Sequence, residues 1–206
     1  MTVEPEIRSL AVFLSGSGRT LKNIVKHIED GSLPARIALV VASRECDGER
    51  WAAGKGIPTA IVGGVIPKEE IGQLLLQHHV EYVALAGYLK LFDVPGGFEN
   101  RVANIHPALL PSFGGPGMYG ERVHRAVIES GCRVSGCTVH LCDDTFDTGP
   151  IITQLACPVY ESDSPESLAD RVFELELRAY PEALRSLISG DLRVVGRRVF
   201  SGARSV

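Results

Sequence analysis

The sequence predicts an α/β protein: a doubly wound, mainly parallel sheet whose C-terminal part turns antiparallel. Three observations carry this expectation. Over the first half, short apolar runs alternate with stripes of helical period, the β-α-β order that builds a parallel sheet. The apolar runs are continuous rather than alternating, as strands covered on both faces require. In the second half, two strand-like runs follow one another across about five residues, which is a hairpin distance rather than a helical crossover.

In chain order, "RSLAVFL" (8–14) reads as a buried strand that runs into a glycine turn. Leu21, Ile24, Val25 and Ile28 then mark one helix face, ended by Gly31. "ARIALVVAS" (35–43) is a second strand, "CDGERWAAGKG" a short helix and "IPTAIVG" a third strand. Pro67 opens a helix carrying Ile71, Leu74 and Leu75, with His78 and His79 near its end. "EYVALAG" (81–87) is the fourth strand, and the run ending in His106 should be a fifth parallel one. "RVSGCTVHLCDD" (133–144) and "PIITQLACPVY" (150–160) form the hairpin or antiparallel edge. A helix follows from Pro165 with Ser164 as N-cap, and Pro181 should kink or restart it. "LRVVGRRVF" closes the chain as a strand or hairpin, and "SFGGPGMYGER" (112–122) is the expected flexible loop. With no repeat or long linker, 1–206 reads as a single Rossmann-like domain. It divides into a phosphate- or nucleotide-binding lobe of about 1–103 and a catalytic lobe of about 104–206.

The 206 residues are 45% hydrophobic and 22% charged, enough apolar content for a large core, and the net charge is −4. A basic nucleic-acid surface is not indicated. The stretch "LAVFL", preceded by acids, fits neither a signal peptide nor a membrane span. An odd count of five cysteines without close spacing argues for reduced thiols and a cytoplasmic location. Cys132, Cys137 and Cys142 recur every five residues, an odd interval, so Cys137 and Cys142 face opposite sides of any one strand. They read as buried small hydrophobes, and no metal is expected.

Two stretches carry chemistry. "SGSGRT" (15–20) joins a strand to a helix, where glycines let backbone N–H groups approach an anion and Arg19 adds charge. Position 21 is Leu, so the third glycine of a dinucleotide fingerprint is missing, and no Gly-Lys-Ser/Thr follows. A phosphate monoester fits better than NAD or ATP; a tight turn without ligand is the alternative. In "NIHPALLP", Asn104 and His106 lie two apart and so point to one side of a strand end. Ligands of open α/β sheets gather outside such ends. The acidic turn "DDTFDTGP" (143–150) is either a solvated turn or a source of a carboxylate for that histidine. On the second reading, Asp147 raises the His106 pKa and makes it a general acid, while the Asn104 amide steadies an oxyanion. With no Ser or Cys nucleophile in the set, direct attack by a bound amine or water is expected.

These residues bear a resemblance. "NIHPALLP", "SGCTVH" with "DDTFDTGPII", "FLSGSGRTL" and "LAGYLKL" are collinear with the glycinamide ribonucleotide formyltransferase family, which belongs to the folate-dependent formyltransferases. The resemblance implies the formyltransferase fold. It implies transfer of a formyl group from 10-formyltetrahydrofolate, a co-substrate, to the glycine amine of glycinamide ribonucleotide in purine biosynthesis. By the match, Gly18, Arg19 and Thr20 bind the substrate phosphate, and Glu176 contacts the glycinamide part, a solvated helix face being its alternative. Leu89, Lys90, Leu91 and Phe92 line the folate pocket with Asn104 and with the backbone of Asp143, Asp144, Thr145, Phe146 and Asp147. The same match makes the catalytic lobe of about 104–206 the folate-binding lobe as well. His140 supports its neighbours near the active site. Two departures stand out: Arg19-Thr20 replaces the usual small residue and Asn, and the loop after Pro111 is several residues longer. The partners implied are small molecules, with no nucleic acid and no membrane, in a monomer or homodimer. Rivals on the same core are a hydrolase and a sugar-nucleotide formyltransferase. A methionyl-tRNA type would need a further domain and a basic surface. A non-catalytic nucleotide-binding module is the rival of a different class.

Overall fold

The computed structural model describes residues 6–202. Its elements are β1 (Arg8–Leu14), α1 (Arg19–Glu29), β2 (Ala35–Ala42), α2 (Asp47–Gly54), β3 (Thr59–Ile61), α3 (Lys68–Gln77) and β4 (Tyr82–Leu85). They continue with β5 (Val102–His106), α4 (Glu121–Glu129), β6 (Val134–Leu141), β7 (Ile151–Pro158), α5 (Pro165–Ile188), β8 (Leu192–Val195) and β9 (Arg198–Ser201). The strands form one sheet in the order β3-β2-β1-β4-β5-β6-β7-β9-β8. From β3 to β5 all pairings are parallel; β5–β6 and β6–β7 are antiparallel, as is the β8–β9 hairpin.

The chain leaves β1 toward β2 on one side and returns to β4 on the other, so the strand order reverses between β1 and β4. That reversal opens a crevice at the carboxyl ends of these strands. Helices cover both faces. Leu10, Val12 and Leu14 of β1 enter the core beneath α1 and α5, while Ala11 and Phe13 enter the opposite one with α3. Cys137 and Cys142 likewise belong to opposite faces, as their odd spacing requires, and all five thiols are free.

Two expectations need correction. Pro181 neither breaks nor restarts α5, which is continuous over its 24 residues. Proline removes the N–H that would bond the carbonyl four residues back, here Leu177. That oxygen instead accepts a hydrogen bond of 2.9 Å from the Asn23 amide of α1. The second correction is α4, a helix not expected over 121–129, which buries Val123, His124 and Val127. The glycine-rich approach to it concealed a short amphipathic period. No helix of the described residues is long and apolar enough to cross a membrane.

Candidate active site

A cavity of about 450 Å³ occupies the crevice. It is lined by the turn after β1, the turn after β4, the end of β5, the loop 115–121, the turn after β6 and the inner face of α5. Gly18, Arg19, Thr20, Asn104, His106, His140, Asp147 and Glu176 all line it, so two motifs nearly ninety positions apart share one space.

The glycine turn is held by close backbone approach. Gly18 has φ 72°, which favours glycine, and a Cβ on Gly18 would meet Gly48 Cα at 2.6 Å. The Gly48 N–H donates to Gly16 O at 3.1 Å, which seats the turn on the start of α2. α1 begins without a capping side chain and has no acid in its first turn, so its first N–H groups face the cavity uncompensated. At the switch point the buried Ser15 hydroxyl accepts from Leu89 N–H at 3.1 Å, joining the two turns that wall the crevice.

His106 ends β5 and is 3% exposed. The residues after it are clamped from the neighbouring strands. The Thr138 hydroxyl donates to Ala108 O at 2.6 Å and accepts from Leu110 N–H at 3.0 Å. The Gln154 amide donates to Leu110 O at 2.9 Å. The Leu110–Pro111 peptide is cis. From there the chain folds back, so that His106 Nε2–H donates to Phe113 O at 2.9 Å while Nδ1 lies 3.5 Å from Asp147 Oδ2. Gly115 N–H donates to the same Asp147 oxygen at 2.9 Å. The loop expected to be flexible is thus fastened to His106 and Asp147.

His140 pairs with Asn104 across the antiparallel β5–β6 ladder. Its Nδ1–H donates to Leu141 O at 2.8 Å, which leaves Nε2 as an acceptor for the Asn104 amide at 3.1 Å. The second Asn104 N–H points more loosely at Asp147 Oδ1, 3.4 Å away. Asp147 has φ 57°, a left-handed conformation that Asp tolerates better than most residues. Burial pushes its carboxyl up, but His140, His106 and the Gly115 N–H together hold it below the usual carboxylate range. The expected rise in the His106 pKa is a correction: burial dominates and lowers it, although Asp147 and the Phe113 carbonyl pull upward.

The remaining residues divide. Leu89, Lys90, Leu91 and Phe92 line the cavity, as do Asp143, Thr145 and Phe146. Asp144 does not: its carboxylate accepts from Val94 N–H at 3.3 Å and lies 3.6 Å from the Lys68 ammonium. Asp143 shapes the turn, accepting from Thr145 N–H and the Thr148 hydroxyl. Burial drives the Glu176 carboxyl up to about 7, with Arg19 opposing. Sequence reasoning missed Gly48, Phe113, Gly115, His124 and Phe173. His124 is buried and pushed down to about 4 by burial and by His106, so it is neutral at neutral pH. Phe173 was legible in principle, one helical turn before Glu176 on the same face of α5. Gly48 carried no signal, since only the fold shows what it touches.

Known proteins with this geometry can now be placed beside it. The family described as formyl transferase matches residues 8–184. The chloroplastic phosphoribosylglycinamide formyltransferase of Arabidopsis thaliana is 41% identical over 195 residues, covering 89% of this chain. The chain spans 66% of that relative's length. Glycinamide ribonucleotide transformylase 1 from Symbiobacterium toebii superposes with a TM-score of 0.89 at 35% identity, covering 98% of each chain. Phosphoribosylglycinamide formyltransferase from Anaplasma phagocytophilum superposes at 0.84 with 29% identity, covering 98% of this chain and 97% of its own. With the family matched over most of its length, the chain belongs to the formyl transferase family, among its phosphoribosylglycinamide formyltransferases.

Proposed function

We propose that the protein transfers the formyl group of 10-formyltetrahydrofolate to the glycine amine of glycinamide ribonucleotide, a step of purine biosynthesis. One observation carries the reading: the anion-ready start of α1 and the Asn104–His106–Asp147 cluster line the same cavity in a chain of this family. The phosphate lies against Gly18, Arg19 and Thr20, and Glu176 meets the glycinamide group. The folate lies along Leu89 to Phe92 and the 143–147 turn. Each substrate then bridges the two expected lobes, about 1–103 and 104–206, across the crevice.

The amine nitrogen attacks the formyl carbon, and the carbonyl electron pair moves to oxygen. The Asn104 N–H that now points loosely at Asp147 turns to this oxyanion, while His140 holds the other. His106, kept neutral by burial, takes the proton that the amine sheds, and Asp147 stabilises the resulting imidazolium. The proton then passes to the folate N10 as the C–N10 bond breaks and the oxyanion collapses. His106 therefore works as a proton shuttle rather than as an acid protonated beforehand. No metal takes part in this scheme. The five free thiols favour a reducing compartment, in keeping with a cytoplasmic enzyme.

The test mixes the protein with 10-formyltetrahydrofolate and follows deformylated folate with and without glycinamide ribonucleotide. Turnover that requires the amine, with the formylated ribonucleotide as product, is expected. Turnover in its absence would replace the transferase reading with a hydrolase.

A further inference from the structure

We infer that Phe173 is a positioning residue that holds Arg19 for phosphate recognition, with the guanidinium stacked on its ring and the N–H edge left free. The inference rests on the proposed binding of the ribonucleotide phosphate at α1. Arg19 is the first residue of α1, where a cation is disfavoured by the helix dipole and where the first turn has no acid to offset it. Among the described residues it makes no ion pair or side-chain hydrogen bond, and the Phe173 ring lies beneath it, 4.0 Å from the guanidinium carbon to the centroid. A stacked arginine uses its face for the aromatic ring. Its donors lie in the plane at the edge, which is the fork that grips a phosphate. An acidic partner would have taken that edge. Glu176, one turn along α5, feels the charge of Arg19 but makes no hydrogen bond to it.

The stack is built into the fold. Along α1, Asn23 lies four residues after Arg19; along α5, Leu177 lies four after Phe173. The Asn23–Leu177 hydrogen bond therefore fixes the same register that puts Arg19 on Phe173 one turn earlier. Pro181 creates the vacancy at the Leu177 carbonyl that Asn23 fills. α5 is in turn anchored by the fully buried Tyr180, whose hydroxyl lies 2.9 Å from both Leu85 O and Ala103 O, beside the catalytic strand end. A held arginine loses less freedom when it binds, and it recognises the phosphate rather than the rest of the substrate.

The experiment uses the full chain and four variants: Arg19→Ala, Phe173→Leu, Phe173→Tyr and the Arg19→Ala/Phe173→Leu double. KM and kcat are measured for glycinamide ribonucleotide and the folate, kcat/KM for the unphosphorylated glycinamide riboside, and Ki for inorganic phosphate. Phe173→Leu should raise the ribonucleotide KM and the phosphate Ki about fivefold. It should leave kcat, the folate KM and the riboside unchanged. Phe173→Tyr, which keeps the ring face, should behave as the parent, and the double variant should match Arg19→Ala alone. If Arg19→Ala raises the ribonucleotide KM but Phe173→Leu does not, the platform is overturned while the phosphate site stands. If Arg19→Ala leaves that KM unchanged, the phosphate site falls and the platform with it. A Phe173→Leu defect shared by the riboside and folate, or not restored by tyrosine, would make Phe173 mere packing and overturn the inference.

Discussion

Asn23→Ala should destabilise the protein through a proline more than 150 residues away. In the native chain Leu177 O has no helical donor, because residue 181 is proline, and the Asn23 amide is its partner at 2.9 Å. Removing that amide leaves a half-buried carbonyl without a protein donor, a loss of about 1–2 kcal/mol at a site that water partly reaches. For a chain of this size that is a fall of about 3–6 °C in Tm. An alanine at 181 restores a backbone N–H to the same carbonyl. In the Pro181→Ala background the Asn23→Ala cost should therefore shrink to about 0.5 kcal/mol or less, a coupling of about 1 kcal/mol. Urea melts of the four proteins measure it, and the cycle cancels whatever Pro181→Ala itself does to packing or to the unfolded chain. An equal cost for Asn23→Ala in both backgrounds would refute the argument that Asn23 replaces the proline's missing donor.

His106→Ala should lower kcat by about 10²–10⁴, and Asn104→Ala by about 10²–10³, with Tm changed by only a few degrees; near-normal turnover in both would end the mechanism. The acid limb of the kcat/KM profile should fall below pH 6.5, the ordinary histidine value, because burial keeps His106 neutral. Asp147→Asn should move it lower still, and a limb above 6.5 would restore a histidine protonated in advance. Gly48→Ala should raise the ribonucleotide KM and spare the folate KM, since its Cβ would sit 2.9 Å from Gly18 Cα and 3.0 Å from Gly16 O. Glu176 titrates near 7 when folded against 4.5 ordinarily, so the native state binds its proton more tightly than the unfolded chain. Its contribution to stability is full below about pH 4.5 and declines as pH rises toward 7; Glu176→Gln should flatten that decline in Tm recorded from pH 5 to 8.

The parallel half of the sheet was legible because each strand announces itself locally: continuous apolar runs closed by glycine or proline need no knowledge of distant residues. His106 was legible for the same reason, since a two-residue spacing fixes direction on a strand whatever lies opposite. What escaped depends on tertiary partners. Pro181 reads as a break when the helix is considered alone, and only Asn23 of another helix makes it tolerable. The His106 pKa was misread because a neighbouring carboxylate can be seen in sequence, whereas the depth of burial that outweighs it cannot. Asp144 lies outside the cavity with its carboxylate beside Val94 N–H and Lys68, neighbours that no local pattern of the acidic turn foretells.

The same physical device recurs around the cavity: where the backbone is left without a partner, a side chain from a distant element supplies one. Thr138 and Gln154 satisfy Ala108 and Leu110 after the strand that ends in His106. Asp147 takes the Gly115 N–H, and Asn23 covers Leu177. Buried polar backbone groups are costly to leave unpaired, so each of these bonds fixes where a loop or helix sits. Each also sets a group of the proposed chemistry: the histidine, its carboxylate, or the arginine at the start of α1. Prolines and glycines that interrupt regular structure here thus leave vacant backbone groups that distant side chains tie down, within the C-terminal half around His106 and, through Asn23 and Leu177, between α1 and α5. Filling such a vacancy from within the chain, as Pro181→Ala would, should loosen the site's geometry even where it leaves the helix itself intact.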